Sequence, residues 1–233
     1  MKLSSRPARK PFSPSYSLHH QLNLYAVAAG AAGVSMLVAA QPAEAKIIYT
    51  KANERVFGIA VPLDLNHDGK TDFYFMSGVV ATTPATSIGL SIHPDSPGNA
   101  VWVTGKGKAA ALRAGARVGP KALFSSHNSD VSMGKIVIVQ TNGKRYYYGP
   151  WENGGKGVKN RYLGLRFQIK GKTHYGWARL NFPSPQLAKL TGYAYETIPN
   201  KPIIAGKTEG PDVVTVQPDT APGSLGRLAL GRK

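Results

Sequence analysis

Apolar and polar positions alternate with a period of two over several stretches of the chain, and they do so most clearly late in it. Leu163, Leu165, Phe167 and Ile169 alternate with Tyr162, Gly164, Arg166 and Gln168, ahead of a Lys170-Gly171-Lys172 turn. On the return, Ala178, Leu180 and Phe182 share one face while Tyr175, Trp177, Arg179 and Asn181 share the other, which predicts an antiparallel hairpin with an apolar side. A second hairpin is predicted from Lys135–Gln140 and Lys144–Tyr148 around Thr141-Asn142-Gly143, since Asn-Gly pairs favour tight turns. Upstream, Val56 to Leu65 reads as extended with Phe57, Ile59, Val61 and Leu63 on one side, and Phe73 and Phe75 alternate with Tyr74 and Met76. Helical periodicity is confined to a short stretch, Ala109 to Ala114. Hairpins without parallel crossovers predict an all-β, antiparallel β-sandwich, jelly-roll-like, over residues 46–205.

The chain ends differ in character from this middle. Lys2, Arg6, Arg9 and Lys10 precede an uncharged run from Leu24 to Ala40, which closes on Ala43-Glu44-Ala45 before Lys46. A basic start, an apolar middle and a small-residue exit predict a signal peptide over residues 1–45 and a secreted or cell-envelope location. The alternative is an uncleaved anchor, because the run approaches the roughly 17 residues that can span a bilayer. Ala43 and Ala45 stand where a peptidase needs small residues. After Ile204, Gly206 to Gly223 offers little that packs and reads as a flexible linker, so residues 206–233 form a tail.

Between the strands lies a run with its own chemistry, Asp64-Leu-Asn66-His-Asp68-Gly69-Lys70-Thr-Asp72-Phe73. It sets Asp64, Asn66, Asp68 and Asp72 in register around a turn glycine, with the backbone carbonyl of Lys70 between them. Hard cations take six to eight such oxygens, so Ca2+ is the expected structural cofactor. The twelfth position is Phe75 where helix-flanked loops carry Glu, and the flanks are strands. The competing reading is plain turn chemistry, with Asn and Asp side chains bonding their own backbone. His67 is expected to point away into solvent.

The full chain carries 29 Lys and Arg against 12 Asp and Glu, a formal net charge of +17. Removing residues 1–45 takes away four basic residues and Glu44, leaving +14. This excess favours anionic polysaccharide or cell-envelope components as partners, whereas the scatter of Lys106, Lys108, Arg113, Arg117, Lys144, Lys156, Lys159 and Lys172 argues against a dedicated nucleic-acid arm. Cysteine is absent, so an exported domain must be held by its core, by metal, or by both.

Two constellations bear on ligands. Tyr146, Tyr148 and Trp151, extended by Tyr175 and Trp177, would suit sugar stacking, with the competing reading that these rings belong to the core. Glu152 and Glu196 are the weak alternative: as a glycosidase pair they would face each other roughly 5–9.5 Å apart. No Gly-x-Ser-x-Gly elbow, paired-histidine helix or phosphate-cradling loop accompanies them, so a binding module stands ahead of a hydrolase of envelope or environmental glycans.

The runs QPAEA-KIIYT, DLNHDG, NRYLGLRFQIKGKTHYGWARL and LTGYAYETIPNKPIIAGKT resemble a family of secreted, β-rich bacterial proteins that carries no established activity. That resemblance implies export and a β-rich fold and assigns no catalytic residue. The tail Pro222-Gly223-Ser224 to Lys233 resembles a degenerate PEP-CTERM sorting segment, with Arg227 breaking its apolar part.

Overall fold

The computed structural model describes residues 46–126 and 130–216. The signal-peptide and sorting-tail expectations fall on residues outside that range. A seven-stranded sheet runs in the spatial order β14 (Val213–Val216), β1 (Ile47–Arg55), β12 (Lys189–Glu196), β11 (Lys172–Phe182), β10 (Val158–Ile169), β5 (Ala100–Trp102) and β7 (Phe124–Ser126). A five-stranded sheet packs on it in the order β2 (Val61–Leu63), β3 (Phe73–Thr82), β4 (Ala85–Pro94), β8 (Val131–Val139) and β9 (Arg145–Tyr148). The protein is an all-β sandwich, antiparallel throughout except where β14 runs parallel to β1.

Both expected hairpins form. In the β10–β11 hairpin Ile169 pairs with Lys172, and the two turn residues Lys170 and Gly171 both have positive φ, 49° and 73°, as a two-residue turn matched to strand twist requires. In the β8–β9 hairpin Lys135 pairs with Tyr148 and Ile138 with Arg145. The core between the sheets is built from the alternating residues: Phe73, Phe75, Leu90, Ile92, Leu163, Leu165, Phe167, Leu180 and Phe182 are all essentially inaccessible. Removing such side chains from water is the main stabilising contribution, roughly 1.5–3 kcal/mol for each.

The outer face of the large sheet is covered as well. A two-stranded ribbon, β6 (Arg117–Val118) and β13 (Ile203–Ile204), lies over β11, and Val118, Ile203 and Ala205 close a second core with Tyr49, Tyr162, Tyr175, Trp177 and Ala194. Tyr175 and Trp177 therefore belong to packing, and their expected ligand role is corrected. The alternation gave their face correctly but not the layer that seals it.

Three further expectations change. Ala109 to Ala114 is not helical: Ala109 bridges Val103, Leu112 bridges Tyr162, and the segment straps the sandwich in extended form. Seven residues bounded by Gly107 and Gly115 are too few to repay helix nucleation. The Val56–Leu65 stretch is a strand only over β2, and Ile59 is 89% exposed beyond the Gly58 bend. The segment after Ile204 does not remain a linker, because Val213–Val216, a β-branched run, returns as β14 beside β1.

Candidate functional site

Two regions gather the polar chemistry expected from the sequence. The first is the loop between β2 and β3. Asp64 accepts hydrogen bonds from the backbone N–H of His67 and of Gly69, both at 2.8 Å, so its two oxygens clamp the turn. Asp68 accepts from the Lys70 N–H at 2.9 Å and from Asn66 Nδ2 at 3.1 Å. Asp72, 7% exposed, accepts from the Leu65 N–H at 2.8 Å and so ties the loop's exit to its entry.

These are Asx-type turns, and they organise the loop without an ion. The chemistry is nonetheless strained electrostatically. Burial, aided by the charges of Asp64 and Asp68 and opposed by the Leu65 N–H, pushes the Asp72 carboxyl up to about 7. Burial and the same three carboxylates also raise the Tyr195 phenol. Asn66 Oδ1 is buried and has no hydrogen-bond partner among the described residues, an orphaned acceptor beside anionic groups. Among the described residues, no three His, Asp or Glu side chains converge closely enough to hold an ion as they stand.

His67, expected in solvent, is instead half-buried. With φ at 59°, its ring turns back so that Nε2 meets Thr50 Oγ1 at 2.8 Å and the imidazole packs on Tyr193 at 5.7 Å between centroids. The loop is thereby seated on β1 and β12. A hollow of about 350 Å³ beside it is lined by Glu54, Asp64, His67 and Tyr193.

The second region is the outer face of the five-stranded sheet. Tyr146 and Tyr148 on the edge strand β9 are 41% and 50% exposed and, two residues apart, point to the same side. Each carries a lysine over its ring, Lys144 Nζ at 5.2 Å from Tyr146 and Lys135 Nζ at 5.4 Å from Tyr148. The strand registers extend this into two rows across the sheet, Tyr148–Lys135–Gly89–Gly78 and Tyr146–Val137–Ser87–Val80. Small residues in the middle of each row leave a shallow hollow of about 340 Å³, to which Ser91 and Ser132 also contribute. At its margin His93 Nδ1 and Asp130 Oδ1 are 2.9 Å apart.

Trp151 does not join this face. It is fully buried, its Nε1–H donates to the Ala109 carbonyl at 3.0 Å, and its ring packs on Phe182, so the expected ligand role is corrected here too. The floor residues were not among the expected site residues. Their signal was present: Ser87, Gly89 and Ser91 alternate with Ile88, Leu90 and Ile92, which marks a strand with a bare outer face.

Glu152 and Glu196 are both buried, at 1% exposure. Glu196 pairs with Lys201 Nζ at 3.0 Å and accepts from the Ile198 N–H at 3.1 Å. Glu152 Oε1 has no partner among the described residues, and burial alone pushes its carboxyl up to about 7. Their positions lie well apart along β11, since Glu152 packs beside Gly134 and Phe182, at its end, while Glu196 follows Tyr195, the partner of Gly176. Six residues of strand at about 3.3 Å each put them on the order of 20 Å apart, beyond the reach of an acid and nucleophile acting on one bond.

No family model, curated protein or solved structure matches the chain.

Proposed function

We propose that the protein is an exported, calcium-stabilised β-sandwich that acts at the cell surface or in the extracellular matrix as a binding module for acidic polysaccharide. The observation that carries this reading is the pair of exposed tyrosines on β9, each with a lysine over its ring, on the same face as a hollow floored by glycine and serine, which Lys135, the strand partner of Tyr148, lines. Flat rings offer apolar area to a sugar face at little conformational cost. The ammonium groups stand where an acidic substituent of a stacked sugar would be neutralised, and the bare floor admits a chain lying across the strands.

The charge of the molecule supports the same partner class. Among the described residues only three ion pairs form, one of them His93–Asp130, so most of the basic side chains remain available to a polyanion.

For calcium, the donor types fit, with the carboxylates drawing together around the ion: Asp64, Asp68 and Asp72 would supply carboxylates, Asn66 an amide oxygen that lacks any other partner among the described residues, and Lys70 its backbone carbonyl. Each carboxylate oxygen that already accepts one N–H keeps a second lone pair for a cation. A divalent ion there would relieve the mutual repulsion of three acids and pin β2 to β3 in a protein without disulfides.

Affinity electrophoresis through polygalacturonate tests the binding reading. The expected result is retardation that weakens with salt, releases no new reducing ends, and drops about 30- to 150-fold in Tyr146→Ala/Tyr148→Ala, as the loss of roughly 1–1.5 kcal/mol per ring implies. Equal retardation of the double variant, or release of reducing ends, would overturn it.

A further inference from the structure

A separate hollow of about 440 Å³ lies at the end of the sandwich where β10 begins and β11 ends, lined by Asn153, Lys156, Gly157, Lys159, Asn181 and Pro183 among others. Its wall is a loop of left-handed residues: Asn153, Gly154, Gly155 and Gly157 have φ of 46°, 66°, 91° and 64°. The loop is fixed from within. The Glu152 carbonyl accepts from both the Gly155 and Gly157 N–H groups at 2.8 and 2.9 Å, and Asn153 Nδ2 donates to the Gly157 carbonyl at 3.2 Å. A side chain at Gly157 would strike the Phe182 carbonyl oxygen and Pro183, so the loop lies directly on the end of β11. The concavity is thus preformed, held by buried Trp151 and Glu152 on one side and by a strand end on the other.

Its ionisable lining is of one sign. Lys156 and Lys159 are exposed, and neither takes part in an ion pair among the described residues. The nearest acid in sequence, Glu152, turns its carboxyl inward to Gly134 and Phe182. Asn181 completes the set: its Oδ1 accepts from the Asn160 N–H at 2.9 Å, which fixes the carboxamide and leaves its NH2 group without a partner among the described residues. Two mobile ammonium groups and one oriented amide donor around a rigid cup form a receptor for a compact oxyanion.

We infer that this hollow binds the carboxylate or sulfate substituent of a single sugar unit, as an anion subsite distinct from the tyrosine face. That the anion is carried by a sugar rests on the polysaccharide reading above; that the cup takes an oxyanion does not.

The purified protein, isotope-labelled for NMR, is titrated with glucuronate, glucose 6-sulfate and glucose. The expected result is saturable movement of the Asn181 side-chain amide and of the Gly154, Gly155 and Gly157 amides with one or both anionic sugars and not with glucose, the tighter of the two naming the substituent. Lys156→Ser/Lys159→Ser should weaken that binding at least ten-fold, whereas Lys106→Ser/Lys108→Ser, which removes equal charge elsewhere, should leave it unchanged. Equal weakening by both pairs, or no movement at Asn181 with either anion, overturns the inference. Tyr146→Ala/Tyr148→Ala should not alter it, so anionic sugars at Asn181 without polygalacturonate retention would refute the tyrosine-face reading alone.

Discussion

Glu152→Gln should make the protein more stable at neutral and alkaline pH and leave it nearly unchanged in acid. The carboxyl is 1% exposed, Oε1 has no hydrogen-bond partner among the described residues, and burial raises its value from 4.5 to about 7. In the unfolded chain the group loses its proton near 4.5, whereas the folded chain holds it to about 7. Between those values the native state therefore binds one more proton, and stability falls as pH rises. At about 1.4 kcal/mol per pH unit the total loss is about 3 kcal/mol, complete above pH 7 and absent below 4.5. Glutamine has the same shape and no charge, so the variant escapes that loss. For a domain of this size, about 3 kcal/mol corresponds to roughly 6–12 °C in Tm. Thermal melts of both proteins at pH 4, 5, 6, 7 and 8, all with chelator, give the difference curve; effects of the distant Asp72 cancel in it. A Tm difference that is flat with pH, or a variant less stable at pH 8, would refute the reasoning.

Gly134→Ala should destabilise by about 1–3 kcal/mol, since its Cβ would lie 2.9 Å from both Glu152 Oε1 and Phe182 Cζ in a filled core; urea unfolding measures it as a lower midpoint with the slope unchanged. Trp151→Phe leaves the buried Ala109 carbonyl without its donor and opens space beside Phe182, and should cost about 2 kcal/mol or more by the same measurement. A loss under about 0.5 kcal/mol in either variant would contradict the packing described.

The large hairpins were legible because period-two alternation, turn residues and register all agree there: Leu163 to Phe182 reads as two strands on any face count. What the pattern does not carry is the number of layers. The Tyr175–Trp177 face looked half polar and open, yet the β6–β13 ribbon closes it, and two-residue strands such as Arg117–Val118 leave no periodic trace. Trp151 misled for a related reason: beside three exposed tyrosines it looked like part of a stacking surface, but the Gly149 turn swings the chain inward and the indole finds a buried carbonyl. The DLNHDG loop lay where its turn residues indicated, whereas the seat it gains from His67 on Thr50 depends on contacts 17 residues apart that local sequence does not encode. Glu152 and Glu196 carry no local mark of burial, and only tertiary packing buries them.

Calcium addition to chelator-treated protein, followed by thermal melting, bears most directly on the loop between β2 and β3. An ion that binds only the folded state at one hundred times its Kd stabilises by about 2.7 kcal/mol, or roughly 5–10 °C here. The midpoint should rise by that amount with Ca2+, and Asp68→Asn/Asp72→Asn should abolish the rise. An unchanged midpoint at millimolar Ca2+ would reduce the Asp64–Asp72 run to a hydrogen-bonded turn.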